Sequence, residues 1–157
     1  MVMGKPLRYL VLHCTATPEG REVTSDQIRH WHTDPVSKGG RGWKQVGYTD
    51  MIHLDGRIER LVPNNEDATV DPWEVTNGAK GINSESRHVV YVGGVDLCGR
   101  PKDTRTAAQT EVMERYVKDF HGRHPDVRII GHNEVAAKAC PSFDVRKWLK
   151  TIGIDQK

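Results

Sequence analysis

Two histidines and a cysteine occupy positions from which they could share a metal ion. The apolar run Tyr9-Leu10-Val11-Leu12 leads directly into His13, the run Val127 to Ile130 ends just before His132, and Cys140 follows eight residues later. Imidazole and thiolate both suit zinc, and a His₂Cys set leaves the fourth tetrahedral corner open, which separates a catalytic zinc from a structural one. A zinc ion held this way lowers the pKa of a bound water to roughly 7 and polarises a carbonyl oxygen. Spacing alone leaves other readings open. The chain has 8 His and 3 Cys, so a hydrogen-bonded histidine pair beside a buried, inert cysteine fits the same pattern. A covalent Cys140 nucleophile activated by His132 fits it as well.

The elements that would position these residues can be read from the chain. Tyr9 to Leu12 has the look of a buried strand. Thr24 and Gln27 have capping-box spacing, and Ile28 and Trp31 give one apolar face, so a helix of about three turns is expected to end by Pro35. Lys38 to Gly42 reads as a loop. Tyr48 to Leu54 and Arg57 to Leu61 flank Asp55-Gly56, which predicts a hairpin closed by a two-residue turn. His88 to Val92 is a further strand, halted at Gly93-Gly94. Thr106 and Gln109 repeat the capping-box spacing before Val112, Met113, Tyr116, Val117 and Phe120, an amphipathic helical pattern. Val127 to Ile130 is the last strand, and Phe143 to Leu149 a short final helix. Interleaved strands and helices with one hairpin predict an α/β fold, a single mixed β-sheet of about five strands flanked by helices.

Composition narrows the function. The 157 residues fit one domain, with 36% hydrophobic and 28% charged residues. With 23 Lys and Arg against 21 Asp and Glu, the net charge of +2 gives no basic stripe for nucleic acid. Neither internal repeat nor low-complexity linker divides the chain. No run approaches the roughly 20 apolar residues of a membrane helix. Met1 to Pro6 is too short and polar for a signal peptide, so a soluble product made in the cytoplasm is expected. Three sparse cysteines do not form a disulfide framework. Strand alternation turns Cys14 away from His13 and into the core, and Cys98 reads as a loop residue. Trp31 and Trp148 are expected as core anchors, and Trp43 as either a packing residue or a wall of a substrate groove.

Several separated motifs together resemble one family. His132-Asn133-Glu134-Val135-Ala136-Ala137-Lys138-Ala139-Cys140-Pro141-Ser142-Phe143-Asp144 is similar to the metal-site segment of type 2 N-acetylmuramoyl-L-alanine amidases, the small phage amidases above all. Leu12-His13-Cys14-Thr15-Ala16-Thr17 resembles their first metal segment. Trp43, Val46-Gly47-Tyr48 and Asp55-Gly56 resemble the strand carrying their active-site tyrosine. Ala79-Lys80-Gly81 and Val92-Gly93-Gly94 follow in the same order. The likeness runs from about Arg8 to Leu149, within a single amidase domain of residues 1–157.

The resemblance implies one zinc ion on His13, His132 and Cys140, with Tyr48 and Lys138 as catalytic partners. It implies hydrolysis of the amide between N-acetylmuramic acid and L-alanine, with peptidoglycan as the partner and neither nucleic acid nor membrane involved. The setting it implies is a monomeric phage or prophage endolysin, made in the cytoplasm and acting on the wall after release. Lys138 would place a cation beside the tetrahedral oxyanion; Tyr48 would donate to that oxyanion or orient the attacking water. A peptidoglycan-binding module of the same fold without catalysis is the alternative, and loss of the cysteine is its usual mark.

Four positions depart from the family pattern. Gly78 stands where a histidine often precedes Ala-Lys-Gly, Thr49 and Asp50 stand where a histidine and an aromatic usually follow Gly-Tyr, and His88 stands where glycine is usual. All four are expected to lie in the substrate groove and to leave the three metal ligands untouched. The remaining histidines, His30, His32, His53, His88, His121 and His124, are expected to be structural or on the surface.

Overall fold

The computed structural model describes residues 4–156; Met1 to Met3, which open the segment read as too polar for a signal peptide, lie outside the described residues. A mixed sheet is built from β1 (Tyr9–Cys14), β2 (Asp50–Ile52), β3 (Ile58–Arg60), β4 (Ser86–Tyr91) and β5 (Arg128–Gly131). Its spatial order is β3-β2-β4-β1-β5, five strands as the sequence predicts, with β3 antiparallel to β2 and every other neighbour parallel. Two short ladders, Lys5–Pro6 with Thr69–Val70 and Thr17–Pro18 with Gly94–Val95, accompany it. They are two residues long, too brief for a periodic signal. Among the described residues no helix is long and apolar enough to cross a membrane.

Side-chain alternation along β1 and β4 separates two apolar layers. Leu10, Leu12 and Cys14 join Val89 and Tyr91 on one face, under α2 (Ala107–Arg123) and α3 (Val145–Thr151). Val90, Val92 and Met51 face the other way, where α1 (Ser25–Thr33) contributes Ile28 and Trp31. β1 and β4 are buried along almost their whole length, as central parallel strands covered on both sides must be.

Both capping boxes form. Thr24 Oγ1 accepts from the Gln27 amide at 3.2 Å while Gln27 Oε1 accepts from the Thr24 amide at 2.9 Å. The Thr106 and Gln109 pair closes at 3.0 and 2.9 Å. α1 stops at Thr33, two residues short of Pro35, because the residue before a proline is driven out of helical angles. α2 buries Met113, Val117 and Phe120, with Val112 and Tyr116 half-buried beside them. α3 starts at Val145, later than the expected Phe143, because the Asp144 carboxylate takes the Lys147 amide at 3.0 Å and so caps the helix.

The hairpin turn differs from the expected one. The His53 amide donates to the Arg57 carbonyl and the Gly56 amide to the His53 carbonyl, both at 2.9 Å, and of the turn residues only Gly56 has a positive φ, 90°. This is a three-residue loop, Leu54 to Gly56, with the glycine in the left-handed bulge position, and not a two-residue turn that needs two positive dihedrals. The loop is drawn onto α2: Thr106 Oγ1 donates to the Leu54 carbonyl at 2.7 Å. The Lys38 to Gly42 loop is pinned to α1 and the turn after it by amide bonds from Gly40 to Pro35, Arg41 to Trp31 and Gly42 to Asp34.

Candidate active site

The parallel strands end on a common edge, and the polar residues gather there. His13 is the penultimate residue of β1 and only 1% exposed. His132 opens a single 3₁₀ turn, His132–Glu134, directly after β5. Cys140 returns in the loop between that turn and α3. The loop is tied down at several points. Tyr91, the last residue of β4, donates its hydroxyl to the Pro141 carbonyl at 2.7 Å, Ser142 Oγ donates to Gly94 at 2.7 Å, and the Glu134 carboxylate takes the Gly131 amide at 2.7 Å.

One donor atom from each of His13, His132 and Cys140 lies within 4.8 Å of the other two. The His13 and His132 ring centroids are 4.7 Å apart, and His13 Nδ1 is 3.7 Å from Cys140 Sγ. The thiol thus has His13 as a close neighbour, besides the His132 that a covalent-nucleophile reading pairs with it. The Cys14 backbone amide donates to Cys140 Sγ at 3.2 Å. Cys14 is itself buried in the core, as strand alternation requires.

The electrostatics suit a cation. Burial, followed by the neighbouring histidines, drives the His13 pKa well below 6.5, and burial with the Lys138 charge lowers that of His132, so both rings stay neutral with a lone pair to give. The Cys14 thiol and burial push the Cys140 thiol up, which keeps it protonated until a bound cation displaces the proton. Two neutral imidazoles and a displaceable thiol proton fit the donor set of a divalent zinc-type ion.

The three donors lie in an open cavity of about 990 Å³ whose wall also includes Tyr48, Lys138, Trp43, Arg41 and Lys80. Tyr48 precedes β2 instead of sitting on it, and its ring centroid is 5.2 Å from that of His13. Burial, then the two nearby thiols, raises its pKa above the usual phenolic range, so the hydroxyl remains a donor. His32, on α1, fixes this approach: it accepts the Gly47 amide at 2.9 Å and its ring lies between those of Trp43 and Tyr48, at 4.8 and 5.3 Å. Lys138 is exposed on the cavity wall. Trp43 is a wall residue, with Arg41 stacked 4.9 Å from its ring centre.

The four departures do not all behave as expected. Of them, Gly78 alone lines the cavity. Thr49 and Asp50 are 2% and 1% exposed, and Asp50 takes Arg60 Nε at 2.7 Å and the Tyr116 hydroxyl at 2.6 Å, away from the groove. The expectation that none touches a ligand is overturned by His88, whose Nδ1 lies 2.8 Å from His13 Nε2. A histidine facing the same side as His13 from the adjacent central strand was a visible signal for this contact. The register supplied what the sequence lacked: Val11 pairs with His88 and His13 with Val90. Among the other histidines, His53 is structural, buried between Glu22 and Glu59 at 2.9 and 2.8 Å.

Comparison with known proteins agrees with this geometry. Residues 3–143 match the family model for N-acetylmuramoyl-L-alanine amidase. An endolysin of Enterobacteria phage K11 is 36% identical over 140 residues, 89% of this chain and 83% of that protein. An endolysin of Klebsiella phage KP32 is 34% identical over 139 residues, 88% of this chain and 83% of its own length. In structure, the Ph2119 endolysin from Thermus scotoductus MAT2119 bacteriophage Ph2119 shares the fold, with a TM-score of 0.69 at 24% identity over 97% of this chain and 86% of that one. The chain belongs to the N-acetylmuramoyl-L-alanine amidase family.

Proposed function

We propose that the chain is a zinc-dependent endolysin that hydrolyses the amide joining N-acetylmuramic acid to L-alanine in peptidoglycan. The observation that carries this reading is the convergence of His13, His132 and Cys140 donor atoms within 4.8 Å, in a cavity whose wall also presents Tyr48 and Lys138. His13, His132 and Cys140 would hold one zinc ion. That ion supplies Lewis acidity toward the amide carbonyl and a lowered pKa for bound water.

The residues of the chain do the rest. The Cys14 amide stabilises the Cys140 sulfur in its charged form. Lys138 brings a positive charge to the edge where the carbonyl oxygen becomes an oxyanion, and the protonated Tyr48 hydroxyl donates a hydrogen bond to it. Trp43 offers a flat apolar wall for a sugar ring or peptide, while Arg41, Lys44 and Lys80 line the same groove and suit the carboxylates of a stem peptide. Residues 8–149 act as one amidase domain, and a monomer suffices because every proposed group comes from one chain.

Purified protein incubated with peptidoglycan, with and without a chelator, tests the reading. Release of peptides bearing new L-alanine amino termini is expected, abolished by chelation and restored by zinc. Wall binding without cleavage would select the non-catalytic module. Cleavage indifferent to chelation would select a covalent cysteine.

A further inference from the structure

We infer that His88, backed by Asn83, is a positioning residue of this site: it fixes the tautomer and ring plane of His13 so that Nδ1 is the nitrogen presented to the metal. The inference rests on reading the His13, His132 and Cys140 cluster as a metal centre.

The argument runs along a chain of hydrogen bonds whose direction is set at its far end. Asn83 Oδ1 accepts the backbone amide of Ala79 at 2.8 Å. A backbone N–H only donates, so this end of the amide is the oxygen and not the NH₂ group. The same oxygen lies 3.0 Å from His88 Nε2, which must therefore carry a hydrogen. His88 is fully buried between Asn83 Oδ1 and His13 Nε2, neither of them an anion that would offset a buried charge, so the ring is neutral and has one N–H. That hydrogen is already on Nε2, so Nδ1 is a bare acceptor. Its partner at 2.8 Å, His13 Nε2, must then donate. A neutral His13 with hydrogen on Nε2 has its lone pair on Nδ1, the nitrogen that faces Cys140 Sγ at 3.7 Å. One backbone amide thus determines every proton up to the ligand atom. A ligating histidine needs this support, because its second nitrogen orients the ring and raises its basicity.

Two of the departures from the family pattern meet here. A Cβ at residue 78 would stand 2.5 Å from His88 Nδ1 and 2.6 Å from its Cγ, a distance only glycine avoids. Gly78 and His88 are therefore sterically matched: the ring enters from the central strand and fills the space beside residue 78.

The test uses the full chain with three variants and two readouts. Imidazole ¹⁵N shifts report the His13 tautomer without metal, and competition with a chromophoric chelator reports zinc affinity. Wild type is expected to show His13 protonated at Nε2. His88→Leu, which cannot accept, is expected to lose that single tautomer and to bind zinc about 10- to 100-fold more weakly, the usual effect of removing such a partner. His88→Gln, which restores an acceptor oxygen, is expected to recover most of the affinity. Wild-type zinc affinity in folded His88→Leu, or wild-type His13 protonated at Nδ1, overturns the inference. If His88→Leu does not fold, Asn83→Leu carries the test. It keeps both rings but frees the far end, and an unchanged His13 tautomer would then count against the relay. A wild-type chain that binds no zinc yet keeps the Nε2 tautomer sinks the metal reading while leaving the relay standing.

Discussion

The backbone amide of Cys14 points at the sulfur of Cys140, 126 residues away in sequence and 3.2 Å away in space. The donor belongs to the residue after His13, so one strand end supplies one proposed ligand and also a hydrogen bond to a second. This couples the geometry of two donors to the position of β1. Cys140→Ser keeps the shape but offers a poor zinc donor at neutral pH, since a hydroxyl gives up its proton far less readily than a thiol. Loss of stoichiometric zinc in metal analysis, together with loss of peptidoglycan hydrolysis, is the expected outcome. Activity persisting in a metal-free Cys140→Ser protein would overturn the mechanism.

Lys138 differs from the three proposed ligands in being exposed on the cavity wall; its backbone amide ties it into the loop by donating to Ala136 at 2.9 Å. Lys138→Ala is therefore expected to leave zinc content and melting temperature unchanged. Hydrolysis should slow by about 10²-fold or more, the typical cost of removing one oxyanion partner, and in kcat more than in KM because the charge is needed only once the oxyanion forms. Equal losses of zinc and rate would reassign Lys138 to holding the site together.

Tyr48 is kept protonated by burial, so what it would offer the proposed reaction is its hydrogen and not a phenolate. Tyr48→Phe should retain the ring packing against His13 and His32, at 5.2 and 5.3 Å, and remove only the donor. Steady-state kinetics should show a drop in kcat of about 10- to 1000-fold with zinc affinity intact. Wild-type kcat in Tyr48→Phe would show the residue to be a packing element.

Much of this architecture was legible in the residues, and what escaped notice has a common cause. Capping boxes are local codes, so Thr24 with Gln27 and Thr106 with Gln109 could be read from spacing of three. The assignment of His13, His132 and Cys140 to a metal came from resemblance, since spacing alone left a bland alternative open. The role of His88 depended on strand register, which brings residue 88 beside residue 13 through parallel pairing that no short window encodes. The turn at Leu54 to Gly56 went astray because Asp-Gly serves two hairpin geometries, and contact with α2 decides between them.

His32 is expected to make the zinc-free protein acid-sensitive. Burial, with Arg41 adding to it, lowers its folded pKa from 6.5 to about 4, so the fold favours the neutral ring that accepts the Gly47 amide. The unfolded chain takes up the proton first as pH falls. Stability is therefore intact above 6.5 and is lost progressively as pH drops toward about 4, at no more than about 1.4 kcal/mol per pH unit for this residue. Thermal melts of chelated protein between these limits should show a shallower slope in His32→Gln than in wild type. Parallel slopes would mean that His32 titrates normally.

Gln109 separates the stability of the fold from the chemistry of the site. It is fully buried, and its Oε1 closes the α2 capping box by accepting from Thr106 at 2.9 Å. Its Nε2 donates to the carbonyls of Ile52, the last residue of β2, and Val92, the residue after β4, at 3.2 and 3.0 Å. One amide thus joins the start of a helix to two neighbouring strand ends. Gln109→Leu fills similar space but leaves the Val92 carbonyl and the Thr106 amide without their partner, while the Ile52 carbonyl keeps the Val92 amide at 3.0 Å; each unpaired group costs about 1–3 kcal/mol. Partial relaxation and water entry will recover some of that, so a destabilisation of about 2–4 kcal/mol is expected. Because α2 lies across the sheet from His13, folded Gln109→Leu should keep wild-type zinc affinity and kcat at low temperature. A melting temperature equal to wild type would show that these bonds contribute nothing net. Loss of zinc affinity in the folded variant would show that the two faces of the sheet are coupled through the strand ends.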